Sequence, residues 1–540
     1  MTNKLKTKWI QRSAPLVALV FLIACGSEIQ TEVYRPISGE GKYILTPEAP
    51  GTPQINGPAV FGVRPGSPFL YTIPATGQRP LTFEVQNLPA GLQLDVHTGV
   101  ISGTISDKSM RNYNITLVAK NQLGVDRKVL EVKVGQTICL TPPLGWNSWN
   151  CWKTQVTQER VLASARAMVD KGLSNYGWSF INIDDAWQGL RGGKHQGIQA
   201  DPVKFPDMKQ MCDEIHAMGL KVGIYSSPWI TTYAGYVGGS SQNPEGDWDD
   251  TTMHPDDLRK TKAFWQVGEY TFDDKDALQW ADWGIDYLKY DWNPNDRAST
   301  QRMADALQNS GRDIVYSLSN TAPMQHADLF SKVVNCFRTA GDLKDRWDQE
   351  GSHLNIREEW VLHRNWLDSA FSGSPGHYPD ADMLVIGDVV TSGPEGKPVP
   401  SRLTADEQYS HVSLWTLWSS PLLIGCPIET LDDFTLNLLT NSEVLDIHQD
   451  AVGVAAQSVY LDEGSEIFVK VLADGSKAVG LFNTGKESQT IAMPWSLAKL
   501  QGVQQVRDVW RQKDIGLYEG KFSAQVPSHG VVLVRFMANE

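Results

Sequence analysis

Phe180-Ile181-Asn182-Ile183-Asp184-Asp185 is an apolar run that ends in two adjacent carboxylates, and Asp286-Tyr287-Leu288-Lys289-Tyr290-Asp291 further along ends in another. Short apolar runs bounded by turn residues read as strands buried on both faces, the texture of a parallel sheet. Runs of this kind recur at 143–150, 178–185, 220–226, 285–291, 313–319, 332–338, 382–387 and 421–426. Amphipathic helices lie between several of them. In 207–218, Met208, Met211, Ile215 and Met218 share one stripe and Gly219 is placed as a stop. Eight strand–helix units within 140–436 predict a (β/α)8 TIM barrel, whose active site is assembled at the C-terminal ends of the strands. An open doubly wound sheet is the alternative topology.

Outward from the barrel the texture changes on both sides. Residues 54–135 carry short alternating strands such as Leu81-Thr82-Phe83-Glu84-Val85 and Asn114-Ile115-Thr116-Leu117-Val118, which predict an N-terminal β-sandwich. Residues 437–540 return to strands without helices, for example Glu466-Ile467-Phe468-Val469-Lys470-Val471, and predict a C-terminal antiparallel β-sandwich. The segment 26–53, rich in Pro, Gly, Glu and Thr, reads as a tether.

With 48 Lys and Arg against 62 Asp and Glu among 540 residues, the net charge is −14. That balance speaks against a basic face for nucleic acid. The 19 Trp suit stacking on sugar rings, although an indole is as often core filler. At the N-terminus, Lys4, Lys6, Lys8 and Arg12 precede an apolar run from Pro15 to Ala24 that is too short for a spanning helix and right for a signal-peptide core. Leu22-Ile23-Ala24-Cys25 resembles the bacterial lipobox, which implies lipidation of Cys25 and an exported protein anchored in the cell envelope. The other cysteines, Cys139, Cys151, Cys212, Cys336 and Cys426, are odd in number and widely spaced, neither a disulfide framework nor a zinc pattern. No metal or cofactor is expected.

If the barrel holds, period two puts Lys289 and Asp291 on one face at the end of the fourth strand, where a lysine would keep the carboxylate ionised. Arg338 to Asp342 end the sixth strand, and Asp380 and Asp382 open the seventh. A single aspartate before a helix is most often an N-cap, but several at one barrel mouth among Lys and Arg form a chemical site. Paired carboxylates, one ionised and one able to carry a proton, are what glycoside hydrolysis requires.

Several ordered motifs carry a family resemblance: Thr141-Pro142-Pro143-Leu144-Gly145-Trp146-Asn147-Ser148-Trp149, Asn182-Ile183-Asp184-Asp185-Ala186-Trp187, Gly223-Ile224-Tyr225, Lys289-Tyr290-Asp291, Arg338 with Asp342, and Asp380-Ala381-Asp382-Met383. Together they resemble glycoside hydrolase family 27, the α-galactosidase and α-N-acetylgalactosaminidase family. The resemblance implies Asp291 as nucleophile and Asp342 as acid/base. It implies that Asp184 and Asp185 accept from the 4- and 6-hydroxyls, that Trp149 and Tyr225 line the pocket, and that Lys289, Arg338 and Asp382 contact ring hydroxyls. Leu88-Pro89-Ala90-Gly91-Leu92 with Thr98-Gly99-Val100-Ile101-Ser102-Gly103-Thr104 resembles the immunoglobulin-like domains beside bacterial surface enzymes, which implies a spacer first and a sugar-binding accessory role as the alternative.

The departures bear on specificity. Tyr233 and Asn293 stand where family members place a cysteine pair, and Ser317-Leu318-Ser319-Asn320-Thr321-Ala322 replaces the segment in which galactosidases carry Glu facing the 2-position. Ser319 and Ala322 resemble the small residues with which the N-acetylgalactosaminidase branch makes room for an acetamide. The expected function is release of terminal α-linked galactose from a carbohydrate substrate. α-N-acetylgalactosaminidase and β-L-arabinopyranosidase activities follow as alternatives, with a non-catalytic sugar-binding surface lipoprotein as the reading from another class.

Overall fold

A computed structural model describes residues 29–246, 266–390 and 396–537, apart from positions 38 and 40. The signal-like segment and Cys25 lie outside the described residues. Eight parallel strands form the central sheet: β1 (Leu144–Asn147), β2 (Phe180–Asn182), β3 (Lys221–Ser226), β4 (Tyr287–Asp291), β5 (Val315–Ser319), β6 (Cys336–Arg338), β7 (Tyr378–Asp380) and β8 (Leu422–Ile424). Each pairs with its chain neighbour from β1 to β7, and β8 pairs back onto β1. The ring closes through a parallel bridge between Leu384 and Ile424. That bridge corrects the expected seventh strand. Strand seven is Tyr378–Asp380, and the apolar run 382–387 is a buried connection with Leu384, Val385 and Ile386 at 0% exposure.

The barrel interior is layered. Phe180, Tyr287, Val315 and Cys336 pack as an apolar cluster at the base. Lys289 and then Asp291 stand above Tyr287 on the same face of β4, while Leu288 and Tyr290 turn outward into the main core. Gly223 on β3 leaves room for Asn182, since a Cβ there would stand 2.0 Å from the Asn182 Oδ1. Outside, helices cover the strands. Met208–Ala217 buries Met208, Met211, Cys212 and Ile215, its N-cap Asp207 accepts from Gln210 N at 2.9 Å, and Gly219 follows at φ +77°.

In the N-terminal sandwich a four-stranded sheet faces a three-stranded one across Phe69, Phe83, Ile101, Ile115, Leu117 and Leu130. It sits against the base of the barrel. Arg64 Nε reaches Asp313 Oδ1 at 2.6 Å, and Thr72 Oγ1 donates to Gly219 O at 2.7 Å. At the other end, two helices, Asp433–Leu439 and Ser442–His448, intervene before the first C-terminal strand, Gln457–Leu461. The expectation of strands alone from residue 437 is corrected accordingly. The C-terminal sandwich pairs Gln489–Pro494 with Lys521–Val526 opposite a seven-stranded sheet.

The expected tether is a packed strap where it is described. Ile29–Gln30 adds a parallel edge strand beside Leu517 and Tyr518, and Tyr34 OH donates to Asp508 Oδ2 at 2.7 Å. Tyr43 lies against Tyr409 and donates to Asp406. No helix among the described residues is long and apolar enough to cross a membrane. The five cysteines named above are free.

Candidate active site

The C-terminal ends of the strands surround a cavity of about 160 Å³. Trp149, Asp184, Asp185, Tyr225, Lys289, Asp291, Asp342 and Asp382 all line it, so eight side chains singled out in the sequence meet at one place. The ends of the strands deliver them. Asp184 and Asp185 follow β2, Tyr225 lies near the end of β3, and Lys289 and Asp291 share a face of β4. Asp342 follows β6 and Asp382 follows β7.

Asp291, 7% exposed, is held at both oxygens. Tyr225 OH donates to Oδ2 at 2.9 Å, and Asn320 Nδ2 donates to Oδ1. Burial pushes the Asp291 carboxyl up to about 6, with Asp342 and Asp184 adding to the rise and Lys289 and the Tyr225 hydroxyl opposing it. Lys289 Nζ donates to Asp184 Oδ2 at 2.8 Å, and Asn147 Nδ2 donates to the same oxygen at 2.9 Å. Burial disfavours the Lys289 charge, but Asp184 and Asp291 outweigh it and raise the ammonium above its usual range. Asp185 accepts from Ala234 N at 3.0 Å and Ala186 N at 2.8 Å. Burial, with Asp184 adding, nevertheless pushes it up to about 7.

Asp342 is placed differently. Its side chain is 48% exposed at the cavity wall, with Arg338 Nη2 3.6 Å from Oδ1. Surrounding protein raises this carboxyl, but Arg338, Lys289, Lys344 and His353 prevail and hold it below the usual carboxylate range.

Two expected residues lie a layer deeper. Ser319 and Arg338 line a separate void of about 10 Å³ beneath the pocket, together with Ser317 and Asp380. Arg338 Nη2 spends its charge on Asp382 Oδ2 at 2.9 Å and on the Gly341 carbonyl, so it braces the wall. Asn320 takes the position expected of Ser319, and Tyr233 stands beside it, its hydroxyl 3.2 Å from Asn320 Nδ2. Asn320 adopts φ +66°, Ala186 φ +83° and Asp382 φ +76°. Left-handed backbone at these three positions turns the chain sharply where β5, β2 and β7 end, and it is sustained by the packing around the pocket. The signal for Asn320 was its type, since Asn tolerates this region better than most side chains. Lys344 and Met383 also line the pocket and were not singled out as site residues. Among the described residues no group of three or more His, Cys, Asp and Glu is arranged to hold a metal ion.

Comparison with known proteins agrees with this architecture. Family models match in three places: "Alpha galactosidase A" at 141–253 and 251–450, "Alpha galactosidase C-terminal beta sandwich domain" at 462–536, and an Ig domain at 52–135. An alpha-galactosidase of Coffea arabica is 33% identical, covering 72% of this chain and 92% of its own. Alpha-galactosidase A of Cellvibrio japonicus is 31% identical, covering 74% and 93%. A solved structure from Bacteroides fragilis superposes with a TM-score of 0.77 at 30% identity, over 92% of this chain and 99% of that one.

Proposed function

The chain belongs to the alpha-galactosidase A family, glycoside hydrolase family 27, and we propose that it releases terminal α-linked galactose from oligo- or polysaccharides by double displacement. Asp291 is the nucleophile and Asp342 the acid/base. The observation that carries this reading is the meeting of both carboxylates in one pocket with Asp184, Asp185 and Lys289. Asp291 has its two oxygens oriented by Tyr225 and Asn320, which suits in-line attack on the anomeric carbon. As that bond forms, Asp342 gives its proton to the departing glycosidic oxygen. It then takes a proton from the water that attacks the glycosyl–Asp291 ester, which frees the sugar with its configuration retained. A bound glycoside covers the half-exposed Asp342, and the loss of water raises its carboxyl toward the protonated form that the first step needs.

Asp184 and Asp185 select the axial 4-hydroxyl and the 6-hydroxyl. A glucoside misplaces the 4-hydroxyl and forgoes its hydrogen bond to a carboxylate, which costs about 1.5–3 kcal/mol. At the 2-position, Tyr233 and Asn320 occupy the wall where an acetamide would need room, and this favours galactose over N-acetylgalactosamine. Inhibition constants for the two free sugars test the point. Galactose should bind at least about tenfold more tightly, the scale of one misfitted group, and equal constants would transfer the assignment to an N-acetylgalactosaminidase.

The lipobox-like Leu22-Ile23-Ala24-Cys25 supports export with a lipid on Cys25. Cys25→Ala should move the protein out of the membrane fraction with its activity intact; a variant that stays lipid-bound would refute the anchor.

A further inference from the structure

Asp342 sits on a loop that runs from β6 to the helix Ile356–Leu367. Leu354 N donates to Asp342 O at 3.0 Å and Lys344 N to Leu354 O at 2.9 Å, so the chain doubles back on itself, with Asp345 and Trp347 further along the fold. Two groups from outside hold that stretch. Asp345, fully buried, accepts from Arg402 N at 3.0 Å, Nε at 3.1 Å and Nη2 at 3.0 Å. Trp347, 1% exposed, stacks on the ring of His529, with centroids 4.8 Å apart and planes at 17°.

His529 belongs to the C-terminal sandwich, in the turn between Lys521–Val526 and Val531–Phe536. Its backbone is left-handed at φ +55°, a conformation that persists only where the surroundings enforce it. Its own domain contributes, with His529 N donating to Gly485 O at 3.3 Å, and the barrel side adds closer contacts. Its Nδ1 lies 2.8 Å from Glu407 Oε1, and Ser410 Oγ donates to its carbonyl at 2.6 Å. Glu407 is itself fixed by the capping box of the helix Ala405–Leu417, with Oε2 accepting from Thr404 N at 2.8 Å.

We propose that His529, through its stack on Trp347, is a positioning residue that lets the C-terminal domain set the reach of Asp342 into the pocket. This rests on the reading of Asp342 as acid/base. Asp342 lies five residues before Trp347 on a loop whose own carboxylate is half-exposed, so a slack far end lets the carboxyl drift from the glycosidic oxygen. A shift of about 1 Å is enough to weaken a positioned catalytic group severely.

The test compares kcat/KM for an alkyl α-galactoside, whose poor leaving group needs a proton, with that for an aryl α-galactoside whose leaving group needs almost none. His529→Asn removes the ring yet tolerates the left-handed backbone. It should lower the alkyl value by about tenfold or more, with the 10²–10⁴ that general acid catalysis contributes as the ceiling, and change the aryl value less than about twofold. Trp347→Leu should reproduce that split, and Trp347→Phe, which keeps a ring to stack, should largely restore the alkyl rate. Asp342→Ala is run beside them. If it shows the split and the His529 and Trp347 variants show either no loss or equal losses on both substrates, the positioning role is overturned while the acid/base reading stands. If Asp342→Ala itself shows no split, the acid/base reading fails and takes this inference with it.

Discussion

On the floor of the pocket, Asp291 ends β4 with β3 and β5 paired on either side, and its oxygens meet Tyr225 and Asn320. On the rim, Asp342 rides a loop, is half-exposed, and takes its surroundings from Arg338, Lys344 and a loop end clamped by Arg402 and His529. The two carboxylates face one cavity but depend on different parts of the chain. A strand-borne group inherits its position from the barrel, whose parallel pairing fixes it to within the rigidity of a packed core. A loop-borne group owes its position to contacts that reach across domains. The electrostatics divide the same way. Burial raises the floor carboxyl, whereas cations depress the rim carboxyl.

Removing each carboxylate in turn should expose this division most strongly. Asp291→Ala deletes the atom that forms the covalent bond, so turnover should fall on every substrate by on the order of 10⁵-fold, the scale seen when a nucleophile is taken from a catalytic unit. Asp342→Ala should cost about 10²–10⁴-fold on alkyl galactosides and far less in the first step on activated aryl ones. Added azide should then rescue the second step and yield an α-galactosyl azide, whose retained configuration is read by NMR. A β-configured product, or an Asp342→Ala loss that ignores the leaving group, would break the division of roles.

The same contrast between floor and rim governs what could be read from the sequence. Strands buried on both faces announce themselves as apolar runs, and period two within β4 put Lys289 and Asp291 on one face without any structure. Apolarity reports burial, however, and not conformation. Met383 to Ile386 is as apolar and as buried as a strand, yet it is the connection whose Leu384 closes the ring. The segment 26–53 failed in the opposite direction. Its Pro, Gly and Glu content reads as free chain, but contacts through Tyr34 and Tyr43 hold it to the body of the protein. Within the site, a left-handed turn at Asn320 brings that side chain to the cavity, while Ser319 lines the small void beneath it. His529 was out of reach altogether. Its meeting with Trp347 joins two domains and exists only in the assembled fold.

A subtler measure of the same contrast is the acid limb of kcat/KM. Asp291 must be ionised to attack, and burial holds its carboxyl up at about 6, so on an activated aryl galactoside, whose departure needs almost no proton from Asp342, activity should be full above that value and fall as the pH drops through it. Lys289 and Asp342 act on this carboxyl with opposite signs. Lys289 favours the ionised form, so Lys289→Met should raise the Asp291 value and move the limb to higher pH. Asp342 repels a second negative charge, so Asp342→Asn, assayed on an activated aryl galactoside, should lower the value and move the limb to lower pH. Each displacement should be about one unit, the low end of what a neighbouring charge produces. Either variant also lowers the height of the profile, because Lys289 holds Asp184 and Asp342 acts in both steps, but the position of the limb is independent of its height. Limbs that move in the same direction would mean that the titrating group is not Asp291, and the floor of the pocket would lose its claim to the nucleophile.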